Sequence, residues 1–198
     1  MTQDEIGKTM VSGEFVSMKT LHDTLPNLTP TPIAWGTYTA DPNIHFYLCE
    51  FVEMENNDLP DANALASSLA ELHKQALSPN GKYGFPVPTL QGTIPQYTHW
   101  TDSWEEFFTN SLKLVMDNEE KSQGPDPEVQ RLYRETLDKV VPRLLRPLET
   151  GGRCIEPRLV HGDIWDGNVS TSLETRMPII FDATCIYGHN ESKRMMVA

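Results

Sequence analysis

The most informative part of the chain is Leu159-Val-His-Gly-Asp-Ile-Trp-Asp-Gly-Asn-Val169, followed by Ile179-Ile-Phe-Asp182. It places two oxygen-bearing side chains, Asp163 and Asn168, on a tight loop, and a third, Asp182, directly after a short apolar run that predicts a buried strand. Carboxylate and amide oxygens suit hard cations such as Mg²⁺. The segment therefore predicts a cation site with one carboxylate to spare.

Phosphoryl transfer from a nucleotide requires such a set of side chains. A carboxylate accepts the proton of the acceptor hydroxyl, while an Asn and an Asp hold magnesium on the triphosphate. Protein kinases arrange them as H-R-D-x-x-x-x-N followed by D-F-G. Here His161-Gly-Asp163 with Asn168 repeats the first spacing with Gly in place of Arg, and Asp182 follows Phe181 where the second acid belongs.

Two other kinds of metal site compete with this interpretation. An EF-hand loop starting at Asp163 would place Trp165 and Gly167 at the third and fifth ligand positions, where calcium needs side-chain oxygens, so calcium is excluded. A zinc site would draw on cysteines and histidines that lack the usual close pairs. These are Cys154, His161, Cys185 and His189.

Apolar periodicity and turn residues predict the elements around this segment. Helices are expected over residues 6–25, 62–77, 103–121 and 128–148, the third capped by Asp102 and the last kinked at Pro142. A hairpin is expected over 33–38 and 44–52, and strands over 158–160 and 177–181. Residues 81–99 are rich in Gly and Pro and are expected to form a loop. This order predicts an α+β protein.

Composition limits the partners and the compartment. The 198 residues carry 16 basic and 28 acidic side chains, a net charge of −12, so binding to nucleic acid through phosphates is not expected. No apolar run approaches the roughly 18 residues of a membrane span. Three widely spaced cysteines, Cys49, Cys154 and Cys185, and a polar start without a secretory leader predict a reducing, cytoplasmic location without disulfides.

The chain resembles the fructosamine (ketosamine) 3-kinases, relatives of the aminoglycoside phosphotransferases within the protein-kinase-like fold. The resemblance extends over residues 8–191, and Trp165 separates the central motif from those of choline and antibiotic kinases. The matching stretches are His161-Gly-Asp-Ile-Trp-Asp-Gly-Asn168, Ile180-Phe-Asp182, Tyr187-Gly-His189, Ser12-Gly-Glu-Phe-Val-Ser-Met18, Ser78-Pro-Asn-Gly-Lys-Tyr-Gly-Phe85 and Thr101-Asp-Ser-Trp-Glu-Glu-Phe-Phe108.

The resemblance implies a two-lobed, protein-kinase-like fold that is incomplete at both ends. Residues 1–55 would be a remnant of the N-terminal lobe, and residues 56–198 a mostly helical C-terminal lobe with the catalytic loop. Such kinases begin with a glycine-rich phosphate loop and a strand lysine, and neither motif occurs ahead of Glu14 in this sequence. We therefore expect the chain alone to bind adenine nucleotide poorly, and the 33–52 hairpin to have an unpaired edge.

The resemblance also implies a function and a role for each matched residue. The reaction would be ATP-dependent phosphorylation of the 3-hydroxyl of ketosamines carried by protein lysines or small amines, with ATP and Mg²⁺ as cofactors. The implied roles are catalytic base for Asp163, magnesium ligands for Asn168 and Asp182, lysine pairing for Glu14, adenine contacts for Glu50 and Val52, and substrate binding for Trp165. The alternative is a catalytically impaired fragment or pseudokinase that acts as a binding module.

Overall fold

The structure is a computed structural model that describes residues 2–55 and 58–192. It contains both helices and sheets, as the sequence predicts. The helices are α1 (Asp4–Thr24), α2 (Ala62–Gln75), α3 (Trp104–Gln123), α4 (Pro127–Glu135) and α5 (Val141–Leu145). The strands are β1 (Thr2–Gln3), β2 (Pro32–Thr37), β3 (Ile44–Cys49), β4 (Leu90–Gln91), β5 (Ile94–Pro95), β6 (Arg158–Val160), β7 (Val169–Thr171), β8 (Pro178–Ile180) and β9 (Ile186–Gly188).

The first helix packs against an antiparallel hairpin. Strands β2 and β3 pair with Trp35 opposite Tyr47, and the Tyr47 ring meets Phe15 of α1 edge-on with ring centroids 6.3 Å apart. Strand β1 pairs with the start of β3, with Thr2 opposite His45. The expectation of an unpaired edge is therefore wrong for the first residues of β3, because the chain before α1 folds back along that strand.

One hydrophobic core joins α1, α2 and the strands that carry the sequence motif. Met18 and Leu21 of α1 and Leu72 of α2 are buried against Leu159 of β6 and Ile180 of β8, each at most 1% exposed. A smaller cluster lies under α3. It contains Tyr83, Trp104 and Phe107, with Phe108 packed against it.

The start of α3 corrects one prediction. Ser103, not Asp102, is the N-cap, and its hydroxyl accepts a hydrogen bond from the Glu106 amide at 3.2 Å. Asp102 is 81% exposed and pairs with Lys82 at 2.9 Å. The Glu149 carboxylate also caps this helix, accepting hydrogen bonds from the Trp104 amide at 2.9 Å and the Glu105 amide at 3.2 Å.

The helix predicted over residues 128–148 is interrupted earlier than Pro142. Helix α4 ends at Glu135, a π-helical segment runs from Thr136 to Val140, and α5 begins at Val141. The Val141 amide donates to the Thr136 carbonyl, one residue farther back than in an α-helix. Because Pro142 has no amide hydrogen, the backbone changes its hydrogen-bond pattern in the preceding turn rather than bending at the proline itself.

Two short antiparallel strand pairs bring the motif loops together. Strands β6 and β9 pair with Val160 opposite Ile186, and strands β7 and β8 pair with Val169 opposite Ile180. The loops 161–168 and 181–185 therefore leave the two pairs side by side. The predicted strands at 158–160 and 177–181 are confirmed as β6 and the shorter β8, whereas β7, β9 and the small β4–β5 hairpin within residues 81–99 were not predicted.

Among the residues that the structure describes, no helix is both long and apolar enough to span a membrane.

Candidate active site

A cleft of about 330 Å³ lies between α1, the segment 89–92 and the two motif loops. Five of the seven predicted site residues line it. These are Glu14, Asp163, Trp165, Asn168 and Asp182. The structure therefore brings together residues from three separate parts of the chain, which the motif spacing and the family resemblance had assigned to one site.

Asn168 fixes the position of Asp163. Its side-chain amide donates to the Asp163 backbone carbonyl at 2.9 Å and to the Asp163 carboxylate oxygen Oδ2 at 3.1 Å. Asn168 is buried, at 5% exposure, in a turn of 3-10 helix that precedes β7. Both hydrogen bonds use the side-chain nitrogen Nδ2, so the side-chain oxygen Oδ1 of Asn168 is the atom that remains for a cation.

His161 joins the two motif loops from beneath. The ring is fully buried, and its Nδ1 accepts a hydrogen bond from the Asp163 amide at 3.2 Å. Nε2 must then carry the proton and donate to the Phe181 carbonyl at 2.9 Å. The His161 carbonyl accepts from the Thr184 amide at 2.9 Å. The residue therefore ties the position of Asp163 to the loop that carries Asp182.

The backbone at Gly162 and Asp182 is left-handed. Gly162 has φ +87°, and a Cβ at this position would collide with the Thr184 carbonyl oxygen, so the loops touch where only glycine fits. Asp182 adopts φ +56°, which is uncommon for a residue other than glycine. Such backbone strain is concentrated at functional sites, where the surrounding structure enforces it.

Glu14 reaches the cleft from α1 and meets Asp182 there. Burial, followed by the charge of Asp182 and a hydrogen bond to its side chain, raises the pKa of Glu14 from 4.5 to about 8. Near neutral pH the protonated Glu14 carboxyl then donates to the Asp182 carboxylate. Glu14 is therefore a half-buried residue of the cleft and not a solvated residue on the surface of α1.

Trp165 is an exposed residue in the lining of the cleft. Its side chain is 57% exposed, and its ring lies over Gly167, where a Cβ would come within 2.5 Å of the indole. Thr184 lines the same cleft, and its hydroxyl is buried with no hydrogen-bond partner among the described residues. Thr184 was not predicted as a site residue, because it lies two residues outside the motif.

Glu50 and Val52 lie elsewhere, in the segment that follows β3. The Glu50 carboxylate accepts hydrogen bonds from the Thr31 hydroxyl at 2.6 Å and amide at 3.2 Å, which hold the pKa of Glu50 below its usual value. Neither residue is among those that line the cleft around Asp163. The structure therefore does not join them to the other five.

The donor set of the cleft suits magnesium better than zinc. Within residues 2–55 and 58–192, no group of three or more His, Cys, Asp or Glu side chains is placed to hold a metal ion. His161, which the zinc alternative needs, uses both ring nitrogens in other hydrogen bonds. The amide oxygen of Asn168 and the carboxylate of Asp182 are instead hard ligands that would share an ion with phosphate oxygens.

Comparison with known proteins agrees with the motif. The whole chain, residues 1–198, matches the sequence profile of the fructosamine kinase family. The chain belongs to this family. It is 34% identical over 197 residues to the chloroplastic protein-ribulosamine 3-kinase of Oryza sativa subsp. indica, covering 97% of this chain and 53% of the rice protein.

Two further comparisons extend this result. The mouse ketosamine-3-kinase is 40% identical over 111 residues, covering 56% of this chain and 33% of the mouse protein. A crystal structure of a Thermobifida fusca protein assigned as a fructosamine-3-kinase superposes with a TM-score of 0.66 at 20% identity, over 92% of this chain and 57% of that one. The latter supports the fold alone. The chain spans about half the length of the rice kinase that it matches.

Proposed function

We propose that this family member takes part in the ATP-dependent phosphorylation of ketosamines at the 3-hydroxyl. The observation that carries the proposal is the convergence of Asp163, Asn168 and Asp182 on one cleft. A general base and two oxygen ligands in one cleft are the side chains that phosphoryl transfer requires. The names of the rice and mouse relatives, a ribulosamine kinase and a ketosamine kinase, indicate the class of acceptor.

In this proposal Asp163 is the base that accepts the hydroxyl proton of the sugar. Its Oδ2 is held by the Asn168 amide, so the carboxylate has one orientation in which to receive the proton. Asn168 and Asp182 would hold Mg²⁺, which neutralises charge on the phosphates when it is bound. The buried His161 keeps the loops of the base and of the acid ligand at a constant separation.

Glu14 belongs to the nucleotide side of the proposed site. In the resemblance this glutamate pairs with the lysine that grips the phosphates, whereas in the structure it pairs with Asp182. No Lys or Arg is among the described residues that line the cleft. A cation that binds beside Glu14 would therefore displace the proton that Glu14 shares with Asp182, and the ionised Glu14 would form an ion pair with that cation.

The predicted adenine contacts, the division into two lobes and the substrate contact are kept as further parts of the proposal. Glu50 and Val52 would meet adenine, residues 1–55 and 56–198 would belong to the two lobes of a kinase-like fold, and Trp165 would contact the ketosamine. Residue 56, the predicted start of the second lobe, lies outside the described residues. A cytoplasmic location is also retained as a prediction, although the rice relative is named as chloroplastic.

The proposal is tested by phosphate transfer and a single substitution. The full-length gene product is incubated with γ-labelled ATP, Mg²⁺ and a fructosylated or ribosylated lysine peptide. Asp163→Asn should abolish transfer and leave the unfolding midpoint within about 2 °C, because it removes the proton acceptor and keeps the shape of the loop. Unchanged turnover in this variant would refute the base assignment. Nucleotide binding without any transfer by the unaltered protein would favour the binding-module alternative.

A second substitution tests the metal assignment. Asp182→Ala should weaken nucleotide binding in the presence of Mg²⁺ about tenfold or more, and should change binding in EDTA much less, because the carboxylate would act through the ion. Isothermal titration calorimetry under the two conditions gives both constants. Equal losses with and without Mg²⁺ would mean that Asp182 has a structural role only.

A further inference from the structure

The β4–β5 hairpin lies between α1 and the two motif loops. The segment leading into it touches α1 at Gly13, where a Cβ would come within 2.5 Å of the Pro88 carbonyl oxygen. Thr89 and Leu90 line the cleft beside Glu14. The hairpin is therefore in contact with every element that contributes a carboxylate to the cleft.

Two glutamines of this segment donate hydrogen bonds to the motif loops. The Gln91 side chain donates to the Gly162 carbonyl at 3.0 Å. The Gln96 side chain donates to the Thr184 carbonyl at 2.9 Å and to the Thr89 hydroxyl at 3.1 Å. The backbone amide of Gln96 also donates to the Thr89 carbonyl at 2.9 Å, and this bond fixes the backbone from which the Gln96 side chain extends.

The two acceptors are placed where they control the site. Gly162 directly precedes Asp163, and Thr184 follows Asp182 by two residues. The two carbonyls belong to the residues at which the loops touch, since a Cβ on Gly162 would collide with Thr184. Each glutamine thus holds the backbone next to one reactive carboxylate, and β4–β5 joins the two glutamines through only a few residues.

We propose that Gln91 and Gln96 are positioning residues, which hold the Asp163 loop and the Asp182 loop at the separation that phosphoryl transfer needs. Their part in transfer rests on the proposed function, whereas their effect on the loops does not. Both are neutral donors, so they hold backbone carbonyls without adding charge beside the carboxylates. The glutamine side chains reach both carbonyls, whereas an asparagine side chain is one methylene shorter.

Amide hydrogen exchange tests the positioning directly. Gln91→Met and Gln96→Met keep the length of the side chain and remove the donor, and Gln75→Met on the exposed face of α2 is the matched control. The reporters are the Asp163 and Thr184 amides, both of which are bonded to His161. Each substitution at Gln91 or Gln96 should speed exchange at these two amides about three- to tenfold, which is the effect expected from the loss of one hydrogen bond. The control substitution should leave their exchange unchanged.

A merely stabilising role would give a different pattern. It would speed exchange in α1, α2 and the β6–β9 pair as well, because the whole chain would unfold more often. Uniform acceleration, or unchanged exchange at Asp163 and Thr184, would overturn the proposal. Gln96→Glu serves as a second variant if the Met variant does not fold, since its carboxylate keeps the shape and cannot donate to the Thr184 carbonyl.

Kinetics separate this inference from the proposed function. In the full-length gene product, Gln96→Met should lower kcat about tenfold and change KM for ATP less than twofold, because loop separation affects transfer rather than binding. A rise in KM with unchanged kcat would overturn the positioning role. If the unaltered protein transfers no phosphate, the proposed function fails, and the exchange experiment still decides whether the glutamines hold the loops.

Discussion

The shared proton between Glu14 and Asp182 predicts that the folded chain loses stability as the pH rises. Folding moves the pKa of Glu14 from 4.5 to about 8, so the folded state binds this proton more tightly than the unfolded state. The full contribution is present below pH 4.5 and is lost progressively as the pH rises to about 8. At about 1.4 kcal/mol for each pH unit, the loss amounts to about 3–5 kcal/mol.

Glu14→Gln isolates this effect. A glutamine amide can still donate to the Asp182 carboxylate and carries no charge at any pH. We expect the two proteins to differ by less than about 1 kcal/mol near pH 5, and the variant to be more stable by about 3–5 kcal/mol near pH 8.5. Glu119→Gln, at an exposed position of α3, is the control and should not change the pH dependence.

The assay is urea unfolding followed by circular dichroism at half-unit steps from pH 5 to 9. The unaltered chain should lose stability with pH more steeply than Glu14→Gln over the interval between 4.5 and 8. Asp182→Asn should also flatten the curve in part, since it removes a charge that raises the pKa of Glu14. Parallel curves for the unaltered chain and Glu14→Gln would refute the shared proton and the close approach of the two carboxyl groups.

Two further predictions concern the fold around the site. Glu149→Ala should lower the free energy of unfolding in urea by about 2–3 kcal/mol, because the carboxylate caps α3 and accepts a hydrogen bond from the Tyr83 hydroxyl. Asp102→Ala should lower it by less than about 0.5 kcal/mol. Equal losses of stability in the two variants would contradict the assignment of Glu149 as a cap. Gly162→Ala should lower the free energy of unfolding by at least about 2 kcal/mol more than Gly81→Ala. Both glycines have positive φ, but only Gly162 lies against another part of the backbone. Similar unfolding midpoints for the two variants would argue against this contact.

Local sequence signals predicted the elements that depend on near neighbours. The apolar spacing of α1 and α2 predicted both helices within a few residues. The Asp61 carboxylate caps α2 and accepts a hydrogen bond from the Ala64 amide at 2.8 Å. The motif spacing predicted that Asp163 and Asn168 would act together. The two residues are hydrogen-bonded to each other in the structure, and their roles in catalysis and metal binding stay predictions.

Contacts between distant residues could not be predicted in this way. Asp102 has the right residue type and position for a cap, but Glu149, 45 residues from Trp104 in the chain, performs much of that role. Gln91 and Gln96 lie in a Gly- and Pro-rich segment that local pattern assigns to a loop. Their acceptors are backbone carbonyls, which carry no residue-type signal, so only the folded chain reveals these hydrogen bonds.

The cleft combines a hydrogen-bonded backbone with several carboxyl groups. Asp163 and Asp182 face one cavity in a chain whose net charge is −12, and Glu14 meets Asp182 through a shared proton rather than as a further negative charge. The loops stay together because uncharged bonds to backbone atoms of the loops, from His161 and from the two hairpin glutamines, do not depend on the charge state of the carboxylates. Under the proposed function, a cation that binds there would meet a cleft already in shape and would offset negative charge without a rearrangement of the loops. This is the arrangement that transfer of a phosphoryl group from a magnesium-bound nucleotide would require.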